Sequence, residues 1–198
     1  MAIKAEQTKQ FILEKVAPIF NQYGYMGASM SVITKAVGMT KGAIYGNFKD
    51  KKELAIAAFN YNIRLEMGRL AQFIEAQSSP VEQLLAILDF YAYYRSHKQL
   101  GGGCPIINIG VDANNQNEEI LQRVQEVIGK LERNIEHIIK AGIATQQLKA
   151  NLDTTACAKL FYTSIQGAVF MAMTLKDDNY LQQMSQHLRQ IIEEQWRA

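Results

Sequence analysis

Apolar residues recur along this chain at helical spacing. Near the start, Ile12, Val16, Ile19, Phe20 and Tyr23 fall at i, i+4, i+7, i+8 and i+11, one stripe of a helix from about Gln7 to Tyr23. Gly24 is placed to end it in a left-handed conformation, and Pro18 inside it predicts a bend. Two very short helices follow. Ser29 is suited to cap one over Met30 to Val37, Gly38 supplies a turn, and Thr40 caps another through about Asn47. Asp50 then caps a long helix to about Gln77, with Leu54, Ala57, Ala58, Tyr61, Leu65 and Leu70 towards the core.

The pattern stays helical to the end. Ser79-Pro80 opens an aromatic-rich helix to about His97, containing Phe90, Tyr91, Tyr93 and Tyr94. Gly101-Gly102-Gly103 interrupts, and a short apolar helix begins near Cys104. Asn114 to Asn117 opens a long amphipathic helix to about Ala144. Asp153 caps another through Leu175, and Asp177-Asp178-Asn179 precedes a last one. With no alternating strand pattern, the fold class is all-α with about nine helices.

Composition narrows the class. A chain of 198 residues with 48% hydrophobic and 20% charged residues can bury a sizeable core. The net charge of +2 conceals an asymmetry: residues 1–54 hold eight lysines against Glu6, Glu14, Asp50 and Glu53. A basic end on a near-neutral body suits a localised polyanion-binding surface. Lysine scatter over a solvated face is the plainer reading. No apolar run approaches a membrane span, and no signal-peptide core follows Met1, so a cytoplasmic protein is expected, with Cys104 and Cys157 reduced.

The short-helix pair carries the clearest chemistry. Helices of about seven residues are unstable alone, so they must pack across each other and against the first helix through Ile33, Val37, Met39 and Ile44. That leaves Thr40, Lys41, Gly42, Ala43, Gly46 and Asn47 facing outward. Each glycine costs a helix about 1 kcal/mol relative to alanine, and close backbone approach to a base edge or phosphate would justify both. An ordinary helical hairpin is the alternative.

These residues carry a resemblance. Ser29-Met30, Ile33, Val37-Gly38-Met39, Thr40-Lys41-Gly42, Ile44-Tyr45, Asn47-Phe48, Lys51 and Glu53-Leu54 resemble the N-terminal domain of the tetracycline-repressor family, as does Tyr23-Gly24-Tyr25. The resemblance implies a helix-turn-helix DNA-binding domain over residues 5–54, its reader at 29–48, and a ligand-binding and dimerisation domain over 55–198. It implies that Ser31, Lys41 and Gly42 face base edges with Ala43 and Gly46 beside them, while Thr40, Tyr45, Asn47 and Lys51 hold phosphates. The chemistry agrees, since lysine donates to guanine O6 or N7, and hydroxyls and amides suit phosphate oxygens. One departure stands out: no arginine precedes Arg64, so bidentate arginine–guanine contacts are absent from this domain.

The remaining residues suggest a sensor. A reader of a few base pairs gains useful specificity as a homodimer on a palindrome of double-stranded DNA. Ser164, Gly167, Ala168, Met171 and Ala172 form a small-residue and methionine stripe that suits a subunit interface or a plain core. The resemblance makes it part of a four-helix bundle between subunits. Phe59, Met67, Phe90, Tyr91 and Tyr94 are candidates for the walls of a pocket for an unidentified small-molecule inducer. Cys104, beside a glycine run at a helix start and near Lys98, is a further ligand-binding candidate, as a reactive thiol, or else a buried filler. His97, His137 and His187 stand apart, and neither metal-ligand spacing nor a catalytic constellation is present. A transcription regulator without cofactor, most simply a repressor, is therefore expected, the alternative being a helical ligand-binding or metabolic protein that does not bind DNA.

Overall fold

Ser29, Thr40, Ser79 and Asp153 each accept a hydrogen bond from the backbone three residues on, and a helix starts after each. The computed structural model describes residues 2–96, 102–114 and 116–198. His97, Lys98 and Gly101, named above, lie outside the described residues. In order the helices are α1 (Ala2–Gly27), α2 (Met30–Val37), α3 (Lys41–Tyr45), α4 (Lys51–Glu75), α5 (Pro80–Ala92), α6 (Pro105–Ala113), α7 (Glu118–Ala144), α8 (Thr154–Leu175) and α9 (Asn179–Ile191). A π-helical turn, Ile192–Trp196, follows α9. No described segment forms a strand, and no described helix is long and apolar enough to cross a membrane.

Several boundaries differ from the expectations. Gly24 (φ 68°, ψ −177°) interrupts α1 without ending it, and helical backbone resumes to Gly27. The interruption sits there and not at Pro18, whose backbone stays helical. Tyr23 points outward at 52% exposure, so the buried stripe of α1 is Ile12, Val16, Ala17, Phe20 and Asn21. The third helix stops at Tyr45, where the bonding tightens and Asn47 N–H donates to the Ile44 carbonyl three residues back. In α4 Leu65 is exposed, and Asn62 and Glu66 occupy the buried stripe instead. The aromatic helix ends at Ala92.

The chain divides into two compact units, with cuts inside α4 and α7. One takes Met1–Glu66 with Gln99–Gln125, the other Met67–Lys98 with Glu126–Ala198. In the first, α1 packs on α2 and α6, and α2 on α3. Polar links explain why residues far along the chain join it. Lys52 Nζ meets Glu119 at 2.6 Å and Arg123 Nε donates to Asn60 at 2.7 Å, while within residues 1–66 buried Asn62 donates to the Ala17 carbonyl at 2.9 Å. Gly102 (φ 99°) lies so close to α1 that a Cβ there would stand 2.8 Å from Gln22 Cα, which bars any larger residue.

In the second unit α5, α8 and α9 pack together around Leu84, Leu88, Phe161, Ile165, Val169, Leu181 and Leu188. Arg95 and Arg189 pair with Asp178 and Asp89 across its helices. The chain end is held as well. Leu148 and Arg197 form an antiparallel bridge, Lys149 N–H donates to the Trp196 carbonyl at 2.9 Å, and Trp196 packs near Phe161.

Helix α8 ends with Lys176 in the left-handed region (φ 58°, ψ 33°), its N–H bonded to the Ala172 carbonyl. A side chain with a Cβ is strained there, and this one is exposed. Lys176→Gly is expected to raise stability by about 0.5–1 kcal/mol, seen as a higher urea midpoint with an unchanged slope.

Candidate nucleic-acid interface

Burial divides the short-helix pair cleanly. Ile33, Val37 and Ile44 are buried and hold α2 and α3 to the unit, joined by Phe48, while Met39 is only half-buried. Everything else on the pair faces outward or sideways. Ser31, Thr34, Lys35, Gly38, Met39, Thr40 and Lys41 line a shallow open depression where the two helices meet. Lys41 projects with its Nζ 5.7 Å over the Tyr45 ring, one turn along the same helix. Ser31, Thr40, Lys41, Gly42, Ala43 and Gly46 are exposed, and Tyr45 and Asn47 half-buried.

The local hydrogen bonds leave usable donors. Thr40 Oγ accepts from Ala43 N–H at 3.2 Å, so its own proton is available to an acceptor such as a phosphate oxygen. Asn47 Nδ2 donates to the Ala43 carbonyl at 3.0 Å, fixing the amide at the end of α3 with one N–H left over. Gly42 has no atom within 4 Å of where a Cβ would stand, so its backbone is open to a close partner. Lys51 is seated against an aromatic ring. It is half-buried with Nζ 4.7 Å over the Tyr25 ring, and burial lowers its pKa while the charge of Asp112 works the other way. Its position in the first turn of α4 still places a cation at a helix N-terminus.

Thr34 and Lys35 belong to the same surface although the short-helix pattern did not single them out. They follow Ser31 at i+3 and i+4, the spacing that shares one helix face, which is the signal that identifies them. Lys9 of α1, 5.9 Å over the Phe48 ring, adds another positive charge to the unit.

The candidate pocket residues do not form one group. Phe59 and Cys104 belong to the first unit and are buried there. Cys104 caps α6 through its backbone with no side-chain cap bond, and at 2% exposure its thiol is shielded from solvent-borne reagents. Met67, Phe90, Tyr91 and Tyr94 belong to the second unit. There Phe90 meets Tyr91 and Phe73 edge-on at 5.2 and 5.4 Å, and Tyr91 stacks on Tyr94 at 5.4 Å. His137 and His187 are exposed, and among the described residues no cluster of potential metal ligands occurs.

The stripe on α8 splits by face. Ala168 and Ala172 turn inward and are part of the unit's core, which removes them from any outer surface. Ser164, Gly167 and Met171 lie on the other side with Leu160, at i, i+4, i+7 and i+11 from Leu160, and Leu175 continues the row. Leu160, Met171 and Leu175 are 67%, 38% and 52% exposed, and Gly167 faces open space.

Comparison with known proteins agrees with this geometry. Residues 12–58 match the family model for bacterial regulatory proteins of the tetR family, and residues 80–188 match the tetracyclin repressor-like C-terminal domain. The transcriptional regulator YhgD of Bacillus subtilis is 33% identical over 141 residues, 68% of this chain and 66% of that one. A TetR transcriptional regulator from Chloroflexus aurantiacus superposes with a TM-score of 0.92 at 31% identity, covering 98% of each chain. A cysteine-substituted form of the regulator CifR, solved with 26-bp double-strand operator DNA, shares the fold with a TM-score of 0.82 at 18% identity, over 90% of this chain and 93% of that one. With a helix-turn-helix at one end and a matching helical domain behind it, this chain belongs to the tetracycline-repressor family of bacterial transcriptional regulators.

Proposed function

We propose that this protein is a cytoplasmic repressor that binds a palindromic operator as a homodimer and leaves it when a small molecule binds. The observation that carries the DNA-binding part is the outward face of α2 and α3. Its apolar residues Ile33, Val37 and Ile44 are turned inward, and its exposed positions are Ser31, Thr40, lysines, glycines, alanines and Val32. Such a face can enter a major groove and reach bases without steric obstruction. The CifR complex supports the same use of the fold.

The roles follow the chemistry of each side chain. Lys41 donates to guanine O6 or N7, with Ser31 and the backbone at Gly42 close to base edges, Ala43 making apolar contact and Gly46 leaving room beside it. Thr40, Tyr45, Asn47 and Lys51 bind phosphates, Lys51 with help from the α4 dipole. With no arginine in this domain, specificity leans on lysine, close backbone approach and DNA shape. Lys35, on the same depression, adds to the electrostatic attraction.

Dimerisation is assigned to the outer row of α8. Leu160, Gly167, Met171 and Leu175 present apolar surface that a second copy would cover, and Gly167 lets a helix approach closely. The inducer site is assigned to the second unit around Phe90, Tyr91 and Tyr94, an apolar wall with phenol hydroxyls. An inducer acts there by favouring a subunit arrangement whose two readers no longer fit successive major grooves.

Two measurements check this reading. A duplex selected from a randomised pool by the wild-type protein should bind with steep salt dependence, and Lys41→Ala should weaken binding by about tenfold or more while relaxing selectivity at one base pair. A Lys41→Ala protein that binds as tightly as wild type refutes the assignment of Lys41. Gly167→Arg should fold normally, because nothing in the chain occupies that space, yet sediment as a monomer and bind the duplex poorly.

A further inference from the structure

The interruption of α1 at Gly24 is repaired by side chains from another helix. With ψ at −177° the Gly24–Tyr25 peptide leaves helical register. Tyr25 N–H then donates to Asp112 Oδ2 at 2.6 Å, and Met26 N–H donates to the same oxygen at 3.2 Å. Four residues earlier on α1, the Asn21 carbonyl accepts from Asn108 Nδ2 at 2.9 Å. Asn108 and Asp112 are themselves four residues apart, so one face of α6 meets one face of α1 at two successive turns. Gly24 is required at the centre of this clasp. Its φ is positive, and a Cβ there would lie 2.8 Å from Asp112 Cγ.

What hangs from the clasp is the reader. Three residues after Met26, Ser29 caps α2, on which α3 packs. The Tyr25 ring is also the seat over which Lys51 lies, and the charge of Asp112 acts on that lysine. We propose that Asp112 is a positioning residue for DNA binding. By accepting the Tyr25 and Met26 N–H groups, its carboxylate sets the exit of α1, and through it the entry to α2 and the seat of Lys51. A half-buried carboxylate suits the task, since charge-assisted bonds to two backbone N–H groups are stronger and more directional than neutral ones. The proposal rests on the DNA-binding reading given above.

The test uses the full chain and a duplex selected from a randomised pool by the wild-type protein. Asp112→Ala should bind that duplex about tenfold more weakly or worse, with thermal unfolding remaining cooperative. Asp112→Asn keeps a carbonyl oxygen for the two N–H groups and should restore binding to within about threefold of wild type. Thermal midpoints of both variants well above the assay temperature separate this from a general loss of stability. The native protein supplies a check that needs no variant: the Tyr25 and Met26 amides should be protected from hydrogen exchange when bound to the duplex. Asp112→Ala binding at wild-type strength, Asp112→Asn as weak as the alanine variant, or unprotected amides would each overturn the proposal. If the wild-type protein enriches no duplex at all, the DNA-binding reading itself fails, an outcome distinct from a difference among variants.

Discussion

Everything at the DNA-facing end depends on burying Ile33, Val37, Ile44 and Phe48. Helices of eight and five residues lose more conformational entropy on forming than their own hydrogen bonds return. They persist because those four side chains are nearly or fully removed from water. The caps at Ser29 and Thr40 and the left-handed Gly38 then choose where each helix starts and stops. Packing supplies the stability, and local chemistry supplies the register.

The same unit relies on polar bonds over long chain separations. Asn108 ties the Asn21 carbonyl to the Gly102 carbonyl, and Asn21 returns a bond to Gly103. These groups join α6 and the glycine turn before it to α1, so the family's C-terminal matching region, which includes α6, contributes to the compact unit that holds the reader. A polar seam of this kind has directional preferences that an apolar one lacks. It therefore defines an orientation as well as a contact.

Caps and turns were legible in the sequence because their chemistry is local. Met30–Val37 and Thr154–Leu175 follow from a capping residue and the stop after it, and both helices have those bounds. The face that each helix buries was less legible. Tyr23 and Leu65 fit an apolar stripe by spacing, yet Asn21, Asn62 and Glu66 take the interior positions beside them. Periodicity cannot tell that a polar side chain has a partner on another helix, as Asn62 has in the Ala17 carbonyl. On α8 the small residues looked alike in sequence, and only packing separates inward Ala168 and Ala172 from outward Gly167. The unit boundary was invisible for the same reason, since Tyr25 and Asp112 are 87 residues apart.

On α2 and α3 the residues that hold the fold and those that face outward are different residues. Ile33, Val37 and Ile44 are buried, while Ser31, Lys35, Lys41 and Ala43 are exposed, and a Cβ on Gly42 would have no atom within 4 Å. Substitutions at these outer positions leave the core intact, so mutation can explore them at little cost in folding. Duplicated copies of such a gene could acquire new DNA addresses one side chain at a time, each intermediate remaining a folded protein.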